Sequence, residues 1–209
     1  MKVRAALDWA LGLFRRSLQV RAVFTTVALG TIAFVVVGGF LSYSIGNGLF
    51  TTRLNQILAE SERGVVEVQN TFSASAVTDE ITLQTLLNSV IPTLESTDAS
   101  GSRKVAMLRT PDQGSSQILQ SPISADLDIG IIPVDFKLKV RTSNNSLIYQ
   151  SIGIPTIDGS VHPGIVVGSP LEIPIAGKYE LYLVFDLQSE QQTLDFVQNT
   201  LAIGGLILI

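Results

Sequence analysis

The stretch Tyr179–Ile209, "YELYLVFDLQSEQQTLDFVQNTLAIGGLILI", changes character twice before it ends. Tyr179, Leu181, Leu183 and Phe185 recur with a period of two, the pattern of a strand that turns one face to a core. Gln188 to Gln198 is polar and helical in pattern, and everything after Asn199 is apolar. Ten helical residues rise only about 15 Å, roughly half the hydrocarbon thickness of a bilayer. The reading is a last strand, an exit helix, and in residues 199–209 the truncated start of a second transmembrane helix, so the chain is expected to stop inside the membrane.

The opposite end supports this. Between Arg21 and Arg53 there is no charge, and "AVFTTVALGTIAFVVVGGFLSYSIG" is almost continuously apolar. About 20 such residues span a bilayer, and a lone span must be a helix because only a helix satisfies its own backbone in lipid. Residues 22–46 are the predicted first transmembrane helix. Lys2, Arg4, Arg15, Arg16 and Arg21 precede it and Arg53 alone follows closely, which places the N-terminus in the cytoplasm and residues 47–198 outside. The run is longer than a signal-peptide core and has no A-x-A site. "RRSLQV" resembles a twin-arginine signal only as far as charge before a membrane helix requires. Residues 1–21 form a basic leader, in which "LDWALGLF" (7–14) reads either as an interfacial helix or as an unstructured lead.

Composition agrees. Charged residues make up 15% of the 209 positions, against roughly 25% in soluble proteins, and mean hydropathy is +0.39. The basic leader contrasts with residues 53–199, which carry nine basic and seventeen acidic groups. An acidic outer segment argues against a nucleic-acid partner. There is no cysteine, which excludes disulfides and thiolate chemistry.

Working outward from the first span, "LFTTRLNQILAESERGVVEVQNTF" is helical. Leu54, Leu58, Ser61, Val65, Val68 and Phe72 alternate spacings of four and three. This stripe is either a seam between two subunits, with Leu54, Leu58, Val65, Val68 and Phe72 as its contacts, or a face docked on the domain's own sheet. A second helix begins at Thr78 or Asp79, carries Ile81, Leu83, Leu86, Leu87, Val90, Ile91 and Leu94, and ends irregularly around Pro92. Strand patterns follow: "KVAMLRT" and "SQILQS" around the turn "PDQGS", then "DFKLKVR", "LIYQSIGIP", "GIVVGSPLEIP" and "KYELYLVFD". Helices followed by about six strands predict an α+β class, with an antiparallel-sheet sensor domain of PAS/Cache-like form behind a long juxtamembrane helix.

Catalytic chemistry is not visible. His162 stands alone in "DGSVHPGI", a solvated turn by pattern, and the pair Asp126 and Asp128 reads as surface. No metal-ligand spacing, P-loop or nucleophile elbow occurs, so neither a metal nor a cofactor is expected in this chain. In "DFKLKVR" a strand would put Lys137, Lys139 and Arg141 in one row. Such a row either contacts an anionic ligand or envelope polymer, or guards a sheet edge.

"RRSLQVRAVFTTVALG" (15–30) resembles the opening of the MtrB-type sensor histidine kinases of actinobacteria. "GIVVGSPLEIPIAGKYELYLVFDLQSEQQTLDFVQNTLAIGG" (164–205) is similar to the end of their extracellular sensor domain, with "YELYLVF", "EQQTL" and "TLAIGG" in the same order. Residues 50–160 match only in order and length. The resemblance implies a homodimeric plasma-membrane kinase that responds to envelope, osmotic and cell-division state. It further implies phosphotransfer to an MtrA-like response regulator, an LpqB-like lipoprotein as outer partner, and ATP and magnesium in a kinase domain. The H-E-x-x-x-P box and the glycine boxes of that domain do not occur here, and His162, followed by Pro163, does not replace the acceptor. The chain is expected to sense without phosphorylating; the other class left open is a membrane-anchored envelope binding or assembly protein with no kinase output.

Overall fold

The computed structural model describes residues 18–75, 79–96, 103–111, 119–144 and 146–208. The expected interfacial helix at 7–14, the turn at 112–115 and Asn145 lie outside them. Helix α1 runs Leu18–Ala74 and α2 Glu80–Ser96; strand β1 is Arg103–Arg109. A short 3-10 turn, Ile129–Ile131, precedes α3, Val134–Thr142, then β2 (Ile148–Pro155), β3 (Val161–Ile173), β4 (Gly177–Asp186) and α4 (Gln188–Leu208). The chain divides into two compact units, Phe50–Gln191 and a second made of the remaining residues at either end.

In the first unit the four strands form one antiparallel sheet of order β1-β4-β3-β2. β4 pairs with β1 from Arg103↔Phe185 to Arg109↔Tyr179 and with β3 from Gly164↔Asp186 to Ile173↔Gly177. Because side chains alternate across a strand, β4 feeds two cores. Tyr179, Leu181, Leu183 and Phe185 meet Ile57, Val68 and Phe72 of α1 and Leu83, Leu87, Val90 and Leu94 of α2. Tyr182 and Val184 enter a smaller core with Ile132, Phe136 and Val140. Burying each such large side chain stabilises the fold by about 1.5–3 kcal/mol.

The helical layer is fastened at several points. Asp79 caps α2, its carboxylate accepting the Thr82 N–H at 2.8 Å. That bond holds its carboxyl below the ordinary range, so the cap is complete above pH 3.8 and is lost as pH falls below it. Gly64 lets α2 approach, since a Cβ there would lie 3.1 Å from Leu94 Cδ2. Gln69 of α1 continues the edge of the β3–β4 hairpin, donating to the Glu172 carbonyl at 2.9 Å and accepting the Glu172 N–H at 3.1 Å.

The structure meets the α+β expectation: a long apolar N-terminal helix and an antiparallel four-stranded sheet with helices on its faces. It corrects the strand expected at "DFKLKVR", and of "SQILQS" only residues 119–121 are described, where no strand forms. "DFKLKVR" is helix α3, with Phe136 and Val140 buried four residues apart and Leu138 half-exposed. Over seven residues a buried i, i+4 pair satisfies both periods. Pro133 at the N-cap, Asp135 in the first turn and Lys139 and Arg141 in the last suit a helix and its dipole. The return segment after β1 runs antiparallel beside it but forms only a bridge, Ala106↔Ile123, with Met107 N–H donating to Pro122 O at 3.0 Å. Pro122 cannot itself donate to a ladder, which keeps this edge from becoming a strand.

In the second unit α1 up to Leu49 and α4 from Gln192 lie antiparallel. A Cβ on Gly46 would stand 3.2 Å from Leu194 Cδ1, and Gly205 faces the ring of Phe34. Glycines at helix crossings permit such close approach, the usual device where lipid replaces water. The surface of α1 here is apolar, with Val23, Phe24, Leu29, Val35, Val36 and Phe40 all more than half exposed. Among the described residues α1 is the one helix long and apolar enough to cross a membrane; α4 continues unbroken through Asn199 to Leu208.

The packing of α3 on β3 carries a testable consequence. A Cβ on Gly168 would run into Val140 and stand 3.1 Å from Phe136 and 3.3 Å from Tyr182. Gly168→Ala is expected to destabilise the sheet unit by about 1–3 kcal/mol through overpacking, measured as a lowered urea midpoint at unchanged slope.

Candidate functional site

Both ends of the sheet unit meet at one place. Asp186, the last residue of β4, turns the chain into α4 by accepting the Gln188 N–H on Oδ1 at 2.8 Å. Its other oxygen faces His162 Nδ1 at 3.6 Å. One turn into α4, Glu190 Oε1 pairs with Arg53 Nε of α1 at 2.9 Å, and the side chains are only 9% and 23% exposed. The first turn of the exit helix is thus tied to the entry helix through Arg53, and the residue that caps it lies against His162 of β3. A shielded pair is little screened by salt, and removing one partner strands the other charge.

Beside this junction lies a cleft of about 220 Å³. Asp186 lines it, with Lys104, Asp126, Asp128, Ile154 and Val184. Its polar groups are engaged: Lys104 pairs with Asp126 at 3.3 Å, and Asp128 accepts the Gly130 N–H at 2.7 Å. Among the described residues no group of three or more ligating side chains is placed to hold a metal.

His162 is the clearest change from the sequence reading: it lies within β3, opposite Ile154, not in a solvated turn. The signal for it was the register of "GIVVGSPLEIP", which extends three residues further towards the N-terminus than its apolar core. Arg53 and Glu190 were missed, because Arg53 is an ordinary charged residue inside a long helix and Glu190 one in the first turn of another, and only folding makes them neighbours.

Lys137, Lys139 and Arg141 do not form a row. On a helix they point in different directions: Lys139 is exposed, Lys137 Nζ donates to the Ile129 carbonyl at 3.1 Å, and Arg141 reaches inward. Arg141 Nε pairs with Glu180 Oε1 at 2.6 Å, and Tyr182 Oη donates to Glu180 Oε2 at 2.6 Å. Glu180 is fully buried. Burial, and then the hydrogen bond to the Glu180 carboxylate, push the Tyr182 hydroxyl far above its ordinary range. Arg141 therefore neutralises a carboxylate of its own sheet.

Of the expected seam residues, Val68 and Phe72 are buried in the larger core, while Leu54, Leu58 and Val65 are partly buried against it. Within this chain the stripe packs on its own domain. The buried positions are Arg53, Ile57, Ser61, Gly64, Val68 and Phe72, a line one residue away from the expected one at its start. The opposite face, with Glu62, Arg63, Val66 and Glu67, is open.

A long apolar helix and a four-stranded sheet unit describe a membrane protein with an α+β domain. The chain is similar in sequence to the sensor histidine kinases named MtrB. It is 27% identical over 199 residues to that of Mycolicibacterium paratuberculosis, covering 94% of this chain and 34% of the relative. To that of Mycobacterium leprae it is 26% identical over 218 residues, covering 100% of this chain and 36% of the relative. The chain thus spans about a third of the length of these relatives. No family model matches. Among solved structures, the ligand-binding domain of the Pseudomonas aeruginosa amino acid chemoreceptor PctC in complex with GABA aligns over 81% of this chain and 67% of that one. At 12% identity and a TM-score of 0.35 that likeness is too slight to bear on fold or ligand.

The ion pair between partly exposed Arg141 and buried Glu180 can be tested directly. Arg141→Met should cost about 3–5 kcal/mol by leaving Glu180 unpaired, read from urea unfolding, and the double variant Arg141→Met/Glu180→Gln should recover most of that loss.

Proposed function

We propose that this chain is the extracytoplasmic sensor and membrane portion of a two-component sensor histidine kinase. Sequence similarity to MtrB kinases over 94–100% of its length carries the reading. The basic leader puts the N-terminus in the cytoplasm and the sheet unit outside the plasma membrane. Residues 199–209 begin the return span; their apolar composition and the antiparallel pairing of α4 with α1 support this. Output by phosphotransfer to an MtrA-like response regulator, with ATP and magnesium serving a kinase region, follows from the relatives' greater length and name. Envelope, osmotic and cell-division state is the signal class, and an LpqB-like lipoprotein the outer partner.

The mechanism starts at Asp186. A change in the sheet unit that moves this cap re-aims the first turn of α4 against α1, and the Arg53–Glu190 pair resists it. Two helix arrangements separated by a few kcal/mol suffice for switching, because any ligand or contact that prefers one of them shifts the populations. Subunits associate through the open face of α1 around Val66, since the stripe from Leu54 to Phe72 is occupied by its own core.

In the complete gene product reconstituted in vesicles, Arg53→Glu and Glu190→Arg should each change ATP-dependent autophosphorylation by about 5-fold or more, and the charge-swapped double variant should return towards the parent level. Absence of histidine phosphorylation in the parent protein would sink the kinase reading. Cysteine at Val66 should cross-link between subunits in membranes, and cysteine at Val68 should not; equal yields would refute the open-face dimer.

A further inference from the structure

The β2–β3 hairpin ends in a turn, Thr156–Ser160, built to hold its shape. Thr156 N–H donates to Ser160 O at 2.9 Å and Gly159 N–H to Thr156 O at 3.0 Å. Asp158 Oδ1 accepts the Thr156 hydroxyl, the Ser160 N–H at 3.1 Å and the Ser160 hydroxyl at 2.8 Å. These bonds, the Thr156 hydroxyl first, hold the Asp158 carboxyl at about 2, so the turn is fully tied at neutral pH. Gly159, at φ 85°, supplies the left-handed residue that closes it.

What this scaffold presents is apolar. Ile157 is 109% exposed and Val161 66%, and Pro155 beside them is exposed. A fully exposed isoleucine on a rigid polar turn contributes nothing to the fold, and the three together form a small greasy tip.

The register says where the tip lies within its unit. Gly164 is opposite Asp186, and the Leu187 N–H donates to Pro163 O at 2.9 Å. Strand β3 continues outward from Gly164 to Val161, about 10 Å at 3.3 Å per residue. The hairpin therefore projects from the same end of the sheet at which α4 starts and, through the Arg53–Glu190 pair, α1 enters. Both chain exits from this unit lead into the helices with the exposed apolar surface.

We propose that the β2–β3 tip is a membrane-contact site, with Ile157 and Val161 inserted among the lipids of the bilayer that α1 crosses. Lipid is the occupant because the chain itself leads there from the same end of the sheet. Asp158 carries the only charge of the turn and is negative, so the site takes a zwitterionic lipid surface and gains nothing from anionic headgroups. Seated in this way the hairpin joins the lipid surface through β3 to His162 and the cap at Asp186.

The proposal rests on the membrane reading above, and its test separates the two. The chain has no cysteine, so a single thiol can be placed at Ile157, or at Ile175 in the β3–β4 turn at the opposite end of the sheet. The full chain is reconstituted in phosphatidylcholine vesicles, checked by flotation, and each thiol is labelled with an environment-sensitive nitrobenzoxadiazole. Replacing part of the lipid by brominated phosphatidylcholine should quench the label at 157 at least threefold more than the label at 175. Equal quenching in floated vesicles overturns the proposal and leaves the membrane reading intact. A label at 157 that is blue-shifted but insensitive to bromine indicates a protein contact and likewise overturns it. A chain that fails to float with the vesicles overturns the membrane reading, and the lipid contact with it.

Discussion

The sheet unit depends on β4 being buried on both faces. Its alternate residues go to opposite sides, Tyr179, Leu181, Leu183 and Phe185 against α1 and α2, Tyr182 and Val184 against α3. Flanked by β1 and β3, it has no free backbone edge. One strand thus joins two cores that would each be too small alone, and its last residue begins the helix that leaves the unit. A displacement of β4 cannot be absorbed within one core, because its two faces are packed against different helices.

Burial on both faces brings one polar cost. Glu180 points into the smaller core, where Arg141 and Tyr182 occupy both of its oxygens. A buried ion pair is weak evidence for net stability; what it secures is position. Arg141 comes from α3 and Glu180 from β4, so the pair sets the register of α3 on the sheet, next to the glycine at 168 that admits it. The lysines of the same helix remain at the surface or bind locally.

Much of this was legible in sequence. The apolar gap between Arg21 and Arg53, the cap at Asp79, the strands β1 to β4 and the α+β order follow from hydropathy, period and turn residues. The resemblance to sensor kinases rested on the two ends of the chain, and the relatives cover nearly all of it. "DFKLKVR" failed because seven residues are too few to separate a period of two from a helix face when the buried pair is four apart. The better signal was the flanking chemistry, Pro133 before the segment and acidic then basic residues along it.

The α1 stripe shows the other limit. Its spacing said that one face of the helix meets a partner, and it does; whether that partner is a second subunit or the chain's own sheet is a question of tertiary packing that periodicity does not address. The sequence alone determined the long apolar N-terminal helix and most of the regular segments, because length, charge gaps and side-chain period act locally. Only the tertiary structure decided that Arg53 meets Glu190, that His162 meets Asp186, and that an isoleucine at 157 stands at the end of the sheet from which the helices leave. Those relations join residues far apart in the chain, and they exist only once the register of β3 on β4 is set.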